Sequence, residues 1–202
     1  MIDGKTLITV VRHGQTEWNE LGRYQGMMDS RLTAEGITQA HRLADHLRTL
    51  SFSRLYSSDL GRAVQTAEII AAVLQIDITL DSRLRERNMG LFQGLTPREA
   101  ELKYPDAFAQ HKTGNPDYPV PQGECLRQTF DRTSACLDEL AEKHLEESLV
   151  LVTHGGILDM IIRKVLDIPL ERPRRFSLKN CSINCFSITD GIWKLESWGE
   201  TR

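Results

Sequence analysis

No stretch of the sequence is apolar for long enough to predict a membrane span. The first apolar run covers only residues 7–11, whereas a membrane-spanning helix needs roughly 20 apolar residues and a signal peptide also needs a longer core. Blocks of basic residues are missing as well, and the formal net charge is -3. Binding to nucleic acid or to an anionic membrane usually requires a strongly basic surface. We therefore expect a cytoplasmic protein with no nucleic-acid partner and no membrane partner.

Cysteine is scarce, and the sequence lacks several common catalytic signatures. The four cysteines show neither Cys-x-x-Cys nor zinc-type spacing, so we expect reduced thiols. There is no Gly-x-x-x-x-Gly-Lys-Ser/Thr loop, no Gly-x-Ser-x-Gly elbow and no His-Glu-x-x-His motif. These absences argue against nucleotide triphosphate hydrolysis on such a loop, a serine esterase and a zinc protease of that type. At 202 residues, the chain is long enough to bury one core without disulfides or metal.

Two apolar runs each lead into a histidine followed by glycine. Residues 7–11 are followed by Arg12 and His13, and residues 149–152 are followed by Thr153 and His154. Runs of this kind are typical of central parallel strands that are buried on both faces. Ligand sites in open α/β sheets lie beyond the carboxyl ends of such strands. If the two strands are parallel neighbours, we expect the two imidazoles to face each other across one crevice.

The rest of the pattern alternates between helix and strand, which predicts an α/β fold. Residues 105–123 are rich in proline and glycine, and residues 95–122 are predicted to form a lid or specificity segment within a single domain over residues 1–202. One helix is expected to turn Ile37 and Leu50 inward, and another to be capped by Ser58 or Asp59. The predicted helices cover residues 33–50, 58–74, 96–103, 124–144 and 157–166, and the predicted strands 52–57, 76–80, 182–189 and 192–198.

The charged residues in these segments include more potential cations than carboxylates. Arg12, His13, Arg62 and His154 are cationic or can become so, and Glu86 is the one carboxylate among them. A phosphate monoester dianion suits such a set, because guanidinium groups match phosphate oxygens two at a time. A metal site on the two histidines fits less well, since the arginines would repel the cation.

Two members of this set also have plainer interpretations. Arg62 lies in the first turn of a predicted helix, where a cation opposes the helix dipole. It is either a solvated arginine or part of an anion site with the free N–H groups of the helix. Glu86 lies among Arg83, Arg85 and Arg87, so it either belongs to a surface ion-pair network of little energetic weight or acts in the site.

The chemistry that these residues permit is phosphoryl transfer through histidine. The unperturbed pKa of histidine, about 6.5, leaves much of it neutral at neutral pH, so His13 can act as a nucleophile. Glu86 can donate a proton to the leaving oxygen and later activate water. Phosphoryl transfer otherwise needs positioning and fixed positive charge, which the arginines supply.

The motifs together resemble the histidine phosphatase superfamily, in the branch with cofactor-dependent phosphoglycerate mutases and small-molecule phosphatases. The resemblance covers nearly the whole chain. It is carried by Arg-His-Gly-x-Thr-x-x-Asn at residues 12–19, by Ser-Ser-Asp-Leu-x-Arg-x-x-x-Thr-Ala at residues 57–67, by the acidic loop at residues 84–94 and by the second histidine motif at residues 152–156.

This resemblance implies a fold and a role for each residue of the set. The fold would be a three-layer α/β/α sandwich with a mostly parallel central sheet, and no metal or other cofactor would be needed. His13 would be the phosphorylated nucleophile, and Glu86 the proton donor. The remaining implied contacts to the phosphoryl group come from Arg12, Arg62 and His154, with Asn19, Gln25, Gly26 and Gly155 as further phosphate-binding residues.

The sequence departs from the mutase pattern at several positions. The acidic loop reads Glu86-Arg87-Asn88-Met89-Gly90 where mutases have Glu-Arg-His-Tyr-Gly, and Pro97 replaces an expected lysine. The segment 96–122 is short, and no second cationic pocket for a bisphosphate can be assembled from it. We therefore predict a phosphatase of a small phosphorylated metabolite. A phosphoglycerate mutase and a non-catalytic phospholigand-binding protein are the alternatives. The sequence does not choose the physiological ester, which includes a fructose bisphosphate and a cobalamin-pathway intermediate among its candidates. It also leaves open whether the protein is a homodimer.

Overall fold

A computed structural model, which describes residues 4–201, contains one six-stranded sheet with helices on both faces. The strand order is β3-β2-β4-β1-β5-β6. The strands are β1 (Thr6–Arg12), β2 (Arg54–Ser57), β3 (Ile78–Leu80), β4 (Ser148–Thr153), β5 (Ile183–Thr189) and β6 (Ile192–Glu200). The helices are α1 (Glu17–Glu20), α2 (Ala34–Leu47), α3 (Gly61–Leu74), α4 (Pro97–Lys103), α5 (Pro105–Lys112), α6 (Leu126–Lys143) and α7 (Gly155–Val165).

The two apolar runs form the neighbouring strands β1 and β4 at the centre of the sheet. They are parallel, and the register pairs Leu7 with Ser148 and Arg12 with Thr153. Every residue of β4 is buried, as expected for a strand covered on both faces. Because the strands end side by side, the prediction that both His-Gly pairs lie at one edge of the sheet is confirmed.

Helices cover the two faces of the sheet in pairs, which confirms the three-layer α/β/α prediction. Alternate residues of a strand point to opposite faces. Val150 and Val152 accordingly pack with α2 and α3, and Leu149 and Leu151 pack with α6 and α7. Only β5 runs against the other strands: it pairs antiparallel with β1 and, across the Asp190-Gly191 turn, with β6, so the strands expected over residues 182–189 and 192–198 form a hairpin.

Several local predictions were wrong. Leu50 is exposed because α2 ends at Leu47, and Ile37, in the first turn of α2, is exposed as well. The buried apolar stripe of α2 is formed by Ala40, Leu43, Ala44 and Leu47. Neither Ser58 nor Asp59 caps α3, whose N-cap is Leu60 without a side-chain hydrogen bond.

The segment 95–122 is more regular than the sequence predicted. The helix α4 lies within the predicted range 96–103, and its N-cap is Thr96, in a capping box with Glu99. The helix α5 was missed, although Pro105 occupies its first turn, a position that proline favours. Phe92, Phe108 and Val120 form a small apolar cluster beneath this segment. A lid role for residues 95–122 stays a prediction.

Candidate active site

A cavity of about 440 Å³ opens at the carboxyl edge of β1 and β4. It lies where a ligand site is expected in an open α/β sheet. The predicted site residues that line it are Arg12, His13, Asn19, Gln25, Gly26, Arg62 and Glu86. His154 does not line the cavity; its ring lies beside that of His13, with 5.2 Å between the ring centroids.

His13 is held in one orientation by its two ring nitrogens. It is 2% exposed, and its Nδ1 lies 2.7 Å from the main-chain oxygen of Gly14. A carbonyl can only accept, so Nδ1 carries the proton and Nε2 keeps its lone pair. Nε2 accepts from Nε of Arg62 at 3.3 Å. Burial, followed by the charges of Arg12 and Arg62, holds the pKa of His13 well below its ordinary value. The ring is therefore neutral, with Nε2 as its nucleophilic atom.

His154 has a hydrogen-bond partner at only one of its ring nitrogens. Its Nε2 lies 2.8 Å from Oγ of Ser58, and that oxygen accepts from the main-chain N–H of Leu60. Nδ1 is buried and has no hydrogen-bond partner among the described residues. When the Ser58 hydroxyl donates to Nε2, the ring proton lies on Nδ1 and is available to a ligand. Burial is also the main reason that the pKa of His154 is well below its ordinary value. A neutral His154 can therefore still donate one hydrogen bond.

Arg62 is buried at the start of α3, with its charge partly balanced. It donates through Nη2 to the main-chain oxygen of Gly26, at 2.8 Å, and through Nη1 to Met28 and Asp29. The carboxylate of Asp29 also accepts from the main-chain N–H groups of Gly61 and Arg62. The prediction that these N–H groups bind the ligand anion was wrong, because Asp29 occupies them. The guanidinium itself remains beside His13.

Glu86 is fixed by main-chain donors and does not join a surface network. Its Oε1 accepts from the N–H of Arg87 at 2.8 Å, and its Oε2 from the N–H of Gly156 at 2.9 Å. A Cβ on Gly156 would lie 2.2 Å from the Glu86 carboxylate, so only glycine permits this close approach. The ion-pair interpretation of Glu86 was wrong, since Arg83 pairs with Asp81 and Arg85 pairs with Asp59.

The other predicted phosphate-binding residues lie at different places around the cavity. Arg12 donates to the main-chain oxygen of Leu178, while its Nε has no hydrogen-bond partner among residues 4–201. Gln25 is buried in the wall, and its Oε1 is also without a hydrogen bond to the described chain. Gly155 does not line the cavity; it adjoins the Arg12 side chain from the first turn of α7. Its neighbour Gly156, and not Gly155, lines the cavity.

Asn19 is connected to His13 through a residue to which the sequence predictions gave no role in the site. Nδ2 of Asn180 donates to the main-chain oxygen of His13 at 2.9 Å and to Oδ1 of Asn19 at 3.2 Å. The same Oδ1 accepts from the N–H of Thr16. Asn180 thus fixes the turn after β1 from a loop that precedes β5.

Several residues of the cavity wall had no role in the sequence predictions. They are Arg23, Tyr24, Arg87, His111, Asp159 and Arg174. The absence of a second cationic pocket for a bisphosphate within residues 96–122 stays a prediction, but the cavity wall also contains Arg87 and Arg174. Arg87 and Arg174 lie outside that segment. The one available signal was the position of Arg87 directly after Glu86.

No three His, Cys, Asp or Glu side chains within residues 4–201 converge in a cluster that could hold a metal ion. Over the same residues, no helix combines the length and hydropathy needed to cross a bilayer.

The depressed pKa values of the two buried histidines predict how stability varies with pH. An unfolded histidine binds a proton near pH 6.5, whereas buried His13 stays neutral to lower pH, so the unfolded chain binds more protons below that point. The stabilisation that the buried histidines gain from staying neutral is therefore fully present above pH 6.5. It is lost as the pH falls toward their pKa in the folded protein. When the pH falls from 7.5 to 5.5, the free energy of unfolding should decrease in both proteins. We expect this decrease to be about 1 kcal/mol smaller in His13→Asn than in the unmodified chain.

The measurement is urea unfolding in phosphate-free buffer at both pH values. The matched control is His41→Asn, which removes an exposed histidine of α2 and should keep the full loss. An equal loss in all three proteins would contradict the assignment of His13 as a buried neutral histidine.

A family model and a sequence relative both match this chain over most of its length. The model of the histidine phosphatase superfamily (branch 1) matches residues 8–201. A protein of Escherichia coli O1:K1 / APEC named "Probable phosphoglycerate mutase GpmB" is 37% identical over 196 residues, which cover 95% of this chain and 89% of that protein.

Solved structures of phosphatases are also similar to this chain. The mycobacterial glucosyl-3-phosphoglycerate phosphatase Rv2419c, in complex with VO3, has a TM-score of 0.86 and 28% identity, with coverage of 96% and 99% of the two chains. A phosphoserine phosphatase from Entamoeba histolytica has a TM-score of 0.87 and 29% identity, with 98% of each chain covered. The extent of the family match and of these similarities shows that the chain belongs to the histidine phosphatase superfamily.

Proposed function

We propose that this protein is a metal-independent phosphomonoesterase, which hydrolyses a small phosphorylated metabolite through a phosphohistidine intermediate. The observation that carries the proposal is the tautomer of His13. Its Nδ1 proton is donated to Gly14, so the lone pair is on Nε2, which accepts from Nε of Arg62 at the cavity wall and gives up that contact when it attacks. A neutral imidazole held against a guanidinium is suited to attack a phosphate dianion, which the cation attracts.

In the first step, Nε2 of His13 attacks phosphorus and the bond to the ester oxygen breaks. Glu86 gives its proton to that oxygen, so the product leaves as an alcohol. The guanidinium groups of Arg12 and Arg62 and the Nδ1–H of His154 donate to the phosphoryl oxygens in this proposal. All of these groups are held before the substrate arrives, which reduces the reorganisation that the reaction requires.

In the second step, water attacks the phosphohistidine and the P–N bond breaks. The carboxylate of Glu86, which lost its proton in the first step, accepts a proton from this water. Inorganic phosphate leaves, and both His13 and Glu86 return to their starting states. The arginines supply the positive charge that a metal ion supplies in other phosphatases.

A phosphoglycerate mutase is the second candidate, favoured by the name of the Escherichia coli relative. Phosphatase activity is favoured by the names of two similar structures and by the departures from the mutase pattern at residues 88–89 and 97. A binding protein without turnover would need the arginines but not the pair of His13 and Glu86. For this reason we place it third.

The discriminating experiment measures two reactions in the presence of EDTA. One is phosphate release from a panel of monoesters, and the other is conversion of 3-phosphoglycerate to 2-phosphoglycerate with 2,3-bisphosphoglycerate supplied. We expect phosphate release without isomerisation, and no turnover by His13→Asn. Isomerisation well above release would replace the phosphatase proposal by the mutase. Activity that EDTA abolishes would refute metal independence, and full activity of His13→Asn would refute the nucleophile.

The proton-donor role of Glu86 predicts a dependence on the leaving group. A sugar alkoxide must be protonated as it leaves, whereas an activated aryl oxide need not be. Glu86→Gln keeps the shape of the side chain but removes its proton transfer. We expect kcat for a sugar phosphate to fall about 10²–10⁴-fold, and kcat for 4-nitrophenyl phosphate to fall far less. Equal losses on the two esters would remove Glu86 from the acid role.

A further inference from the structure

Glu86 lies in a stretch of chain that has no regular secondary structure. Residues 85–89 connect a 3₁₀ turn at Ser82–Leu84 to another at Gly90–Phe92, so no strand or helix fixes the main chain there. One of the two N–H groups that hold the carboxylate, that of Arg87, belongs to the same stretch and moves with it. A catalytic group must lie within about 0.5 Å of its productive position. Other residues therefore have to fix this stretch.

Arg132, on α6, holds the chain that precedes Glu86. Its Nη1 donates to the main-chain oxygen of Arg83 at 2.6 Å and to that of Arg85 at 3.0 Å. A guanidinium is planar and rigid, so two such bonds fix the direction of the carbonyls as well as their distance. The main chain is thus fixed up to the residue directly before Glu86.

Glu124 holds the chain that follows Glu86. Its Oε2 accepts from the main-chain N–H of Asn88 at 2.9 Å, and its own N–H donates to the main-chain oxygen of Asn88 at 2.9 Å. Its main-chain oxygen accepts from Nε of Arg87, also at 2.9 Å. Glu124 therefore fixes the two residues directly after Glu86, through its main chain and its side chain together.

An ion pair joins the two residues that hold this stretch. Nε of Arg132 lies 3.2 Å from Oε1 of Glu124, and Nη2 lies 3.0 Å from Oε2. The two side chains are only 19% and 21% exposed, so water and salt screen the pair less than they would screen a surface pair. Neither residue lines the cavity that contains His13. Any effect of the pair on the reaction must pass through another residue.

We propose that Glu124 and Arg132 are positioning residues for the proton donor: their ion pair holds the main chain on both sides of Glu86 and so sets the position of its carboxyl group. This inference rests on the proposed function for the role of Glu86, but the hold on the main chain does not depend on turnover. A displacement of about 1 Å from the productive geometry lowers a rate about 10²-fold. The pair thus affects the rate although it does not contact the substrate.

The first test is amide hydrogen exchange without substrate, measured by mass spectrometry on the peptide that covers residues 84–90. We expect Arg132→Met to raise the exchange rate of this peptide at least about 10-fold, because charge-assisted bonds to the main chain are lost. Peptides from β1 and β4 should keep their rates. Unchanged exchange at residues 84–90 would overturn the proposal, and so would an equal increase in all three peptides, which would indicate general destabilisation.

The second test compares kcat for a sugar phosphate with kcat for 4-nitrophenyl phosphate, whose leaving group needs no proton. Arg132→Met should lower kcat about 10- to 100-fold for the sugar phosphate and within about 3-fold for the aryl ester. Arg132→Lys keeps one cation that can reach the carbonyls, so it should recover part of the loss. Equal losses on the two esters would overturn the positioning role.

The control variant is Arg127→Met, which removes another guanidinium from α6. Arg127 forms a bidentate pair with Asp117, and it contacts no residue between 83 and 90 through its side chain. We expect both the exchange at residues 84–90 and the ratio of the two kcat values to be unchanged. If Arg127→Met had the same effect as Arg132→Met, the effect would come from the stability of α6 and the proposal would be overturned.

A double variant tests whether Arg132 acts through Glu86. In the Glu86→Gln background, Arg132→Met should lower kcat for the sugar phosphate by no more than about 3-fold, because the group that it positions is already lost. A further loss of the full factor would show an independent effect and overturn the proposal.

The two measurements also separate this proposal from the proposed function. If no ester is hydrolysed while exchange at residues 84–90 still responds to Arg132→Met, the hold on the main chain stands and the phosphatase fails. If esters are hydrolysed while that exchange is the same in Arg132→Met and the unmodified protein, the phosphatase stands and the positioning role fails.

Discussion

The parallel pairing of β1 with β4 is the constraint on which the site depends. Two strands that run in the same direction and end together bring their following residues to one edge, and here each is followed by His-Gly. The cost of burying both histidines is met by the apolar faces of the same strands, which lie in the cores on each side of the sheet. The 5.2 Å between the two rings is thus a consequence of strand register.

Electrostatics determine the chemistry that this geometry can support. Burial, followed by the charges of Arg12 and Arg62, lowers the pKa of His13, so the ring is neutral. The same two cations attract an anion. The main-chain oxygen of Gly14 decides which nitrogen of His13 carries the lone pair. In His154, Nε2 has Ser58 as its partner, and Nδ1 is the nitrogen that has none among the described residues.

The parts that could be predicted from sequence are those with a local signal. Apolar β-branched runs predicted β1 and β4, and the Asp190-Gly191 turn predicted the hairpin of β5 and β6. The helix α5 had its signals too, with Pro105 at its start and Gly114 after its end. We interpreted them as breaks in an irregular segment, because eight residues give too little periodicity to distinguish a helix.

The parts that could not be predicted depend on residues far apart in the chain. Asp29 binds the first N–H groups of α3 from about 30 residues away, so the sequence around α3 contained no sign of it. Glu124 is held beside the acidic loop by the N–H of Asn88 and by Arg132 on α6, which no local pattern around residues 84–94 indicates. The choice of Gly156 over Gly155 rests on the path of the Glu86 side chain. Each of these is a property of tertiary packing.

The central claim is that Nε2 of His13 forms a bond to phosphorus, and it is tested most directly by isolating the phosphoenzyme. A slowly hydrolysed monoester would be mixed with excess protein, and the reaction stopped at alkaline pH, where phosphohistidine survives. Peptide mass spectrometry would locate the phosphoryl group, and phosphorus NMR would identify the nitrogen. We predict phosphorylation at Nε2 of His13, with none in His13→Asn. Turnover with no phosphoenzyme, or phosphorylation at His154 or at Nδ1, would contradict this account of the site.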